Sequence, residues 1–566
     1  MQKTEGKSDS PQLSVLTSRM NSDKDADSPH DSPILKTKSL SEVYEKCNYA
    51  ALEPFSFAET VKYEEWRLAI QEEIDMIEKN NTWQLVDRPE ARNMIGVKWI
   101  FKAKLNPDGS IYKHKARLVV KGYSQQAGVD YGDTFAPVAR HETIRLLLAL
   151  VAKLKWEVYH LDVKSAFLNS ELQEELFVEQ PEGFQVSGME NKVYKLQTAL
   201  YGLKQTPRAW YSKVDSHLLH CGFTRSENEA TLYVKRFEIR ELLILSIYVD
   251  DMLVTGSNSR LIVEFKKEMI VVFEMSDLGL MTYFLGMEIS QSSAGIFISQ
   301  RKYALDLLKK FNMERCKSVT TPLAQNGKLS KAEKGEDVDP SHYRSLVGSL
   351  LYLTASRPDI MFAASVLSRY MQSPSQVHLG AAKRVLRYVK GTYDSGIWYT
   401  TAENGKLQGF SDSDWEGCLD DMKSTTGYVF SMGSGVFSWV SRKQVVIAQS
   451  TAEAEYMAVA VAANQAIWLR KVLANLFQTQ QEATVIQVDN KSAISMTKNP
   501  VQQERTKHIN VKFHAIRQAE KKGEVQLIHC SSENQLADIM TKSLAAGRFE
   551  DLRVKLGVSK KNREEC

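Results

Sequence analysis

The sequence predicts a mixed α+β protein of several domains, and three observations carry that reading. The chain has 566 residues, more than a single core of ordinary size accommodates, so about two to four domains are expected. Strand-like apolar runs dominate from Val97 to about Val254, broken by helical stretches. A second alternation of strand and helix patterns occupies about 405–545, beyond a polar, Gly-, Lys- and Asp-rich stretch from Gln325 to Pro340 that reads as a linker.

In chain order, residues 1–45 are rich in Ser, Asp, Lys and Pro. They lack the apolar surface to offset the entropy of folding and read as a disordered arm. Residues 46–80 form a helical lead-in, with Trp66, Ile70, Ile74 and Ile77 spaced four, four and three apart on one face. The span 81–325 follows as the first large folded region. It includes a helix over 261–272, strands near 283–289 and 295–299, and a helix from Arg301. Residues 326–404 combine the linker with helices over 345–354, 360–371 and 376–390. An α/β region at 405–545 and a tail at 546–566 complete the chain.

Composition excludes several classes. A chain with 43% hydrophobic and 25% charged residues is an ordinary soluble globular one. The longest apolar run, about Leu146–Leu154, is far too short to span a bilayer, and no signal peptide or membrane association is expected. The six cysteines, Cys47, Cys221, Cys316, Cys418, Cys530 and Cys566, form no CxxC pair, so neither a disulfide framework nor a zinc site is indicated. That suits a reducing interior compartment. A net charge of +4 leaves nucleic-acid binding to local clusters.

The richest motif is Tyr248-Val249-Asp250-Asp251. Two carboxylates lie between the apolar runs Leu242–Ile247 and Met252–Val254, the pattern of a β-hairpin with acids at its tip. Side chains alternate along a strand. Leu243, Leu245, Ile247 and Val249 therefore share an apolar face, and Asp250 points away from it with Ser246 and Tyr248. Asp251 converges only if the chain turns there, which ranks Asp250 as main ligand and Asp251 as helper. The chemistry that needs clustered carboxylates is metal-assisted phosphoryl transfer, with ions about 4 Å apart. The competing reading is a solvated turn, where Asp is common. Asp162 repeats the design, ending the segment Trp156–Val163 on the face it shares with His160. Its competing reading is an N-cap for a helix starting near Ser165.

The C-terminal region carries a second acidic set. Asp412 and Asp489 end strand-like segments. Ser450-Thr451-Ala452-Glu453 is a capping-box pattern that occupies Glu453 structurally and leaves Glu455 as the freer acid. Ser532 and Gln535 suggest a cap that puts Asp538 in an early helical turn. Strand, helix, strand and helix would then assemble a second two-metal site, although each acid taken singly reads more readily as a surface residue.

These segments together resemble the reverse transcriptase–ribonuclease H part of copia-type LTR retrotransposon polyproteins, the plant members above all. The resemblance covers about residues 40–555. It rests on Lys98-Trp99-Ile100-Phe101-Lys102, Lys115–Val119, Leu161–Leu168, Leu200–Trp210 and the Tyr-Val-Asp-Asp turn. In the C-terminal part it rests on Ser411–Trp415, Ser450–Tyr456, Val488-Asp489-Asn490 and Ala537–Lys542. It implies a right-hand polymerase (fingers, palm and the start of a thumb over 81–325) followed by a ribonuclease H-like α/β domain. It also implies RNA-directed DNA polymerase activity with hybrid-specific RNA cleavage. Asp162, Asp250 and Asp251 match the polymerase metal ligands; Asp412, Glu455, Asp489 and Asp538 match those of the nuclease. Each site would take two Mg²⁺ ions, with Mn²⁺ as substitute. Lys115 and Arg117 match residues that could grip a triphosphate, Phe167 a ribose gate, and Tyr201 and Gly202 a loop beneath the nucleotide.

The implied partners are an RNA template, a DNA or tRNA primer, the RNA–DNA hybrid and dNTPs. Capsid and integrase would come from the rest of the element, since the chain resembles only its last third. The implied setting is the cytoplasm, in a virus-like particle, with access to the nucleus. A basic run from Arg505 through Lys512 and Arg517 to Lys522 could track hybrid phosphates or form a solvated helix face; His508 and His514 lack Cys partners for zinc. His529 is left without a role. Asp394-Ser395-Gly396 resembles an aspartic-protease triplet but lacks a β-rich protease domain around it. The alternative to an enzyme is a decayed or co-opted remnant that binds nucleic acid without turnover.

Overall fold

The computed structural model describes residues 53–54, 56–90, 92–105, 110–238, 241–325, 327–332, 336–401, 405–498 and 515–561. The expected arm at 1–45, the basic run over 505–512, and His508 and His514 lie outside them.

The lead-in helix runs Glu64–Lys79 and buries Trp66, Ala69, Ile70, Glu73, Ile74 and Ile77, the face its apolar spacing specifies. It packs on an antiparallel ribbon of strands Val97–Leu105 and Ile111–Val120, with Trp66 edge-on to Phe101 at 5.7 Å. Each such fully buried large apolar side chain contributes about 1.5–3 kcal/mol. Glu73 is the exception on this face, a carboxylate that must find a partner inside.

The central sheet has six strands in the order Met275–Leu280, Val158–Val163, Asp251–Gly256, Leu242–Tyr248, Leu232–Arg236 and Thr224–Arg225. Leu243, Leu245 and Ile247 pack with Trp210, Val214 and Leu218 of helix Thr206–His220 and with Phe265 and Met269 of helix Ser259–Val272. Leu242 and Ile244 on the opposite face join the larger core. The sheet is thus covered on both sides, so the expectation of a single apolar face does not hold. A strand buried on both faces needs a near-continuous apolar run, and Leu242–Ile247 is one.

Helix His141–Leu154 ties this sheet to the C-terminal half. Ten of its residues are buried. Buried Arg145 donates from Nε to Phe437 O at 2.8 Å and from Nη1 to Ala355 O at 2.9 Å, and its guanidinium lies 3.8 Å from the Trp439 ring centroid. A buried cation needs such partners.

A five-stranded sheet follows, ordered Tyr283–Phe284, Met287–Ser292, Gly295–Ser299, Ser395–Thr400 and Val558–Lys560. Two expectations change here. Residues 546–560 are no tail: they form helix Ala546–Lys555 and an edge strand. The strands near 283–299 do not close the first region alone, because they share a sheet with the chain's C-terminal end. Ser395 begins a strand paired on both sides, and Asp394 just before it meets Lys560 Nζ of the edge strand at 3.3 Å from Oδ2. The expected helix over 360–371 is a 3-10 turn, Pro358–Ile360, running into helix Met361–Ser368.

The last sheet is ordered Val436–Lys443, Thr425–Ser431, Gln408–Ser413, Thr484–Val488 and Val525–His529. Its last three strands in this order are parallel to one another. The long helix Thr451–Asn475 covers it.

Candidate active sites

The Tyr-Val-Asp-Asp motif is a hairpin turn. Strand Leu242–Tyr248 pairs antiparallel with Asp251–Gly256, and Tyr248 is opposite Asp251. The two turn residues are Val249 and Asp250. Val249 sits at φ +57, a left-handed conformation costly for a β-branched residue. Trp210 Nε1 donates to Val249 O at 2.6 Å, and Val163 N donates to Asp250 O at 2.9 Å; these bonds hold the turn against helix Thr206–His220 and strand Val158–Val163.

The turn reverses the ranking drawn from parity. Strand alternation stops at Tyr248, so Asp250 is a turn residue. Asp251 begins the next strand directly across from Asp162. Ser165 makes no side-chain cap of the short 3-10 turn Ala166–Asn169, and Asp162 projects on the face that carries His160. His160 Nε2 lies 2.7 Å from Asp251 Oδ1. Burial pushes the Asp162 carboxyl up, and the neighbouring Asp251 adds to it against His160 and Lys115. Asp250 is also raised, by burial first and then by Asp251 and Asp162. Half-buried, mutually repelling oxygen donors fit a hard divalent cation, which would relieve both penalties.

The residues expected to handle nucleotide gather around these acids in two ways. Burial and the nearby Arg117 and Lys104 lower the Lys115 ammonium, while the charges of Glu73 and then Asp162 pull it back up. Arg117 is committed elsewhere. Its Nη1 bonds Glu73 Oε2 at 2.6 Å, and Glu73 also accepts from Leu118 N at 3.3 Å. Arg117 lies 5.1 Å from the Tyr201 ring centroid. Phe167 and Tyr201 have ring centroids 5.0 Å apart. Gly202 has φ +95, and a Cβ there would strike the Val120 carbonyl. That close backbone approach, with Val120 N donating to Tyr201 O at 2.7 Å, fixes the Tyr201 loop against the ribbon.

The second acidic set converges more tightly. Asp412, Glu455 and Asp489 each bring an oxygen within 4.8 Å of the others, the only such group among the described residues. Asp412 is on strand Gln408–Ser413, Glu455 on helix Thr451–Asn475, and Asp489 just past strand Thr484–Val488. Glu453 takes the capping position: its N donates to Ser450 Oγ at 3.2 Å, and its Oε2 accepts from Gln449 N at 2.8 Å. Glu455 Oε1 accepts from Ser413 N at 2.9 Å, whereas its buried Oε2 has no partner among the described residues. Burial, then Asp412, raise the Glu455 carboxyl well above its ordinary range. An orphaned buried oxygen beside two more carboxylates fits a divalent cation.

Asp538 stands outside that trio. It lies in a 3-10 turn, Leu536–Met540, capped by Gln535, rather than in an α-helix. Lys542 Nζ bridges it to Asp412, at 2.7 Å from Asp538 Oδ1 and 3.1 Å from Asp412 Oδ1. Sequence reading passed over Lys542, although its four-residue spacing from Asp538 is the signal for such a pair. It also passed over Glu73 and gave His160 no function, although His160 shares the Asp162 face. Of the basic run, Arg517 is spent on Met496 O at 3.0 Å, while Lys521 and Lys522 are exposed.

Comparison with known proteins bears on the first of these regions and on the chain as a whole. Residues 80–325 match the family described as reverse transcriptase (RNA-dependent DNA polymerase). The chain is 40% identical to the retrovirus-related Pol polyprotein from transposon RE1 of Arabidopsis thaliana, over 90% of this chain and 35% of that protein. It is 40% identical to the one from transposon TNT 1-94 of Nicotiana tabacum, over 88% and 38%. A putative transposon Ty5-1 protein of Saccharomyces cerevisiae is 34% identical over 52% of this chain and 97% of its own length. The chain belongs to the copia-type retrotransposon Pol family. It spans about a third of the length of the two plant Pol polyproteins. A solved foamy viral protease–reverse transcriptase in complex with double-stranded DNA aligns over 83% of the chain and 70% of its own at 11% identity, with a TM-score of 0.22, a likeness too low to argue from. Among the described residues of this copia-type chain, no helix is long and apolar enough to cross a membrane.

Proposed function

We propose that this copia-type chain is an RNA-directed DNA polymerase with a separate ribonuclease H site. The observation that carries the reading is the pairing of Asp162 directly across from Asp251 at the Val249-Asp250 turn, inside the segment that matches the reverse transcriptase family. Asp162, Asp250 and Asp251 would hold the metal at the polymerase site; Asp412, Glu455 and Asp489, with Asp538 beside them, would hold it at the nuclease site. Bound there, Mg²⁺ supplies nucleophile activation and neutralises charge on the transferring phosphoryl group.

The remaining work falls to the chain's own groups. Lys115 meets triphosphate charge. Phe167, wedged on Tyr201, presents a bulky edge where a ribose 2′-hydroxyl would sit. His160 holds Asp251 by one oxygen, so the other would be the one to ligate a bound cation. At the second site, discrimination for the RNA strand of a hybrid follows from the 2′-hydroxyl, the group that separates RNA from DNA. The two activities suit one another, because copying RNA leaves a hybrid whose RNA must be removed. The expected cytoplasmic setting and the nucleic-acid partners belong to this proposal.

The test is extension of an oligo(dT) primer on poly(rA) with Mg²⁺, with and without chelator. The reading requires extension that chelator abolishes. Metal-independent binding with no extension by folded protein supports the remnant that binds without turnover.

A further inference from the structure

Four carboxylates approach one another at the C-terminal site, but they are not equivalent. Asp412 Oδ1 is bound by Lys542, and Asp412 Oδ2 accepts the Thr541 hydroxyl. Asp538 is held from both sides, by Lys542 at 2.7 Å on Oδ1 and by Arg548 Nη2 at 3.5 Å on Oδ2. Among the described residues, Asp489 accepts only from the Ser532 hydroxyl, at 3.2 Å, and Glu455 keeps a buried oxygen with no partner. The open coordination therefore lies on the Asp412, Glu455 and Asp489 side, where the oxygens cluster within 4.8 Å. The Asp538 side is already neutralised.

We propose that Lys542 is a built-in second cation of this site, so that the site takes one divalent ion, at Asp412, Glu455 and Asp489, instead of two. The inference rests on the ribonuclease H reading above and replaces its expected metal count. Charge agrees with it. Lys542 and Arg548 lie against Asp412 and Asp538, and Asp551, which Arg548 also meets at 3.6 Å, has Lys555 at 3.0 Å, so Glu455 and Asp489 are left with two negative charges, the charge of one divalent ion. Geometry agrees as well. Lys542 follows Asp538 by four residues in one short segment, so its ammonium is carried to the gap between Asp538 and Asp412 without a long flexible reach. Asp412 is fully buried, and taking the Lys542 ammonium away from it would leave an uncompensated buried charge, which is strongly destabilising. Lys542 is thus a positioning residue: it fixes Asp412 and fills the space between Asp412 and Asp538.

The experiment counts Mn²⁺ bound to the full chain by electron paramagnetic resonance. It compares the parent with Lys542→Met, Lys542→Arg and Glu455→Gln, and RNA–DNA hybrid cleavage is measured on the parent. The proposal expects Lys542→Met to bind one ion more than the parent, Lys542→Arg to match the parent, and Glu455→Gln to bind one fewer. It is overturned if Lys542→Met matches the parent, or if Glu455→Gln loses two ions. Should Lys542→Met be unstable without metal, thermal melting supplies the second readout. Mn²⁺ is expected to raise the Tm of Lys542→Met, relative to chelator, by more than it raises the parent's, and an equal shift counts against the proposal. A parent that cleaves no hybrid, with a Mn²⁺ count indifferent to Glu455→Gln, overturns the ribonuclease H reading itself and is recognisable as such.

Discussion

His160 Nε2 lies 2.7 Å from Asp251 Oδ1, so the strand that carries Asp162 also holds the acid opposite it. The His160 ring is in turn braced edge-on by Phe284, at 5.5 Å between centroids. A carboxylate held by one oxygen has its other oxygen aimed, which is the pre-organisation a metal site needs.

Removing that hold therefore affects turnover. His160→Leu loses a hydrogen bond to a charged group, worth about 1.5–3 kcal/mol, and primer extension is expected to fall roughly ten- to a hundred-fold in kcat with little change in KM for dNTP. His160→Gln, which can still donate to Asp251, is expected to recover most of it. Unchanged extension by a folded His160→Leu protein removes His160 from the site.

Lys115 and Arg117 separate by partner. Arg117 is engaged with Glu73, whose side chain is 1% exposed, so Arg117→Ala strands a buried carboxylate. It is expected to cost about 1–3 kcal/mol, read as a lower midpoint in urea unfolding. Lys115→Ala is expected to raise KM for dNTP more than Arg117→Ala does, with less loss of stability. The reverse order of KM effects would return the triphosphate grip to Arg117.

What was legible in the sequence was local. The alternation of apolar and polar residues marked the strands, and the acids stood out because they recur at the ends of apolar strands, although a turn, a cap or a surface position would explain each one singly. The capping pattern at Ser450 separates Glu455 from Glu453 by sequence alone. Parity failed at Asp250 because a two-residue turn resets the phase of alternation, and Val249 in a left-handed conformation is not what a β-branched residue signals. The partnerships Glu73–Arg117, Lys542–Asp412 and Arg145 with the Phe437 carbonyl were not legible. They join residues 44, 130 and 292 positions apart, and no local period encodes such pairings. The tail at 546–566 misled for a similar reason: strand Val558–Lys560 is three residues long and exists through its pairing with Ser395–Thr400.

A buried ion pair sets a pH limit on stability. Arg357 and Asp359 have side chains 1% and 0% exposed, and Asp359 also accepts from the Tyr388 hydroxyl at 2.6 Å. Burial alone would raise the Asp359 carboxyl, but the Arg357 charge and hydrogen bonds outweigh it and hold it below its ordinary range. A depressed carboxylate contributes stability that is fully present above its unfolded value, about 3.9, and is lost as pH falls through the lower folded value. Asp359→Ala is thus expected to cost about 3–5 kcal/mol at pH 7, a penalty that shrinks below roughly pH 4. Denaturant melts at pH 7 and pH 3 check it; an equal penalty at both contradicts the assignment.

Phe167 and Tyr201 form the wall expected to exclude a 2′-hydroxyl. Phe167→Ala is expected to raise incorporation of rNTP relative to dNTP by roughly ten-fold or more, the scale of one lost steric contact of about 1.4 kcal/mol. Single-nucleotide extension with each triphosphate reads the ratio. An unchanged ratio in a variant that still extends with dNTP assigns Phe167 to packing alone.

The most direct test of two independent acid sites is to assay primer extension on poly(rA)·oligo(dT) and cleavage of an RNA–DNA hybrid together in Mg²⁺, for the parent, Asp250→Asn and Glu455→Gln. The account predicts that both activities are present in the parent, that Asp250→Asn loses extension and keeps cleavage, and that Glu455→Gln does the opposite. Loss of both activities in either folded variant, or a folded parent that does neither, contradicts it.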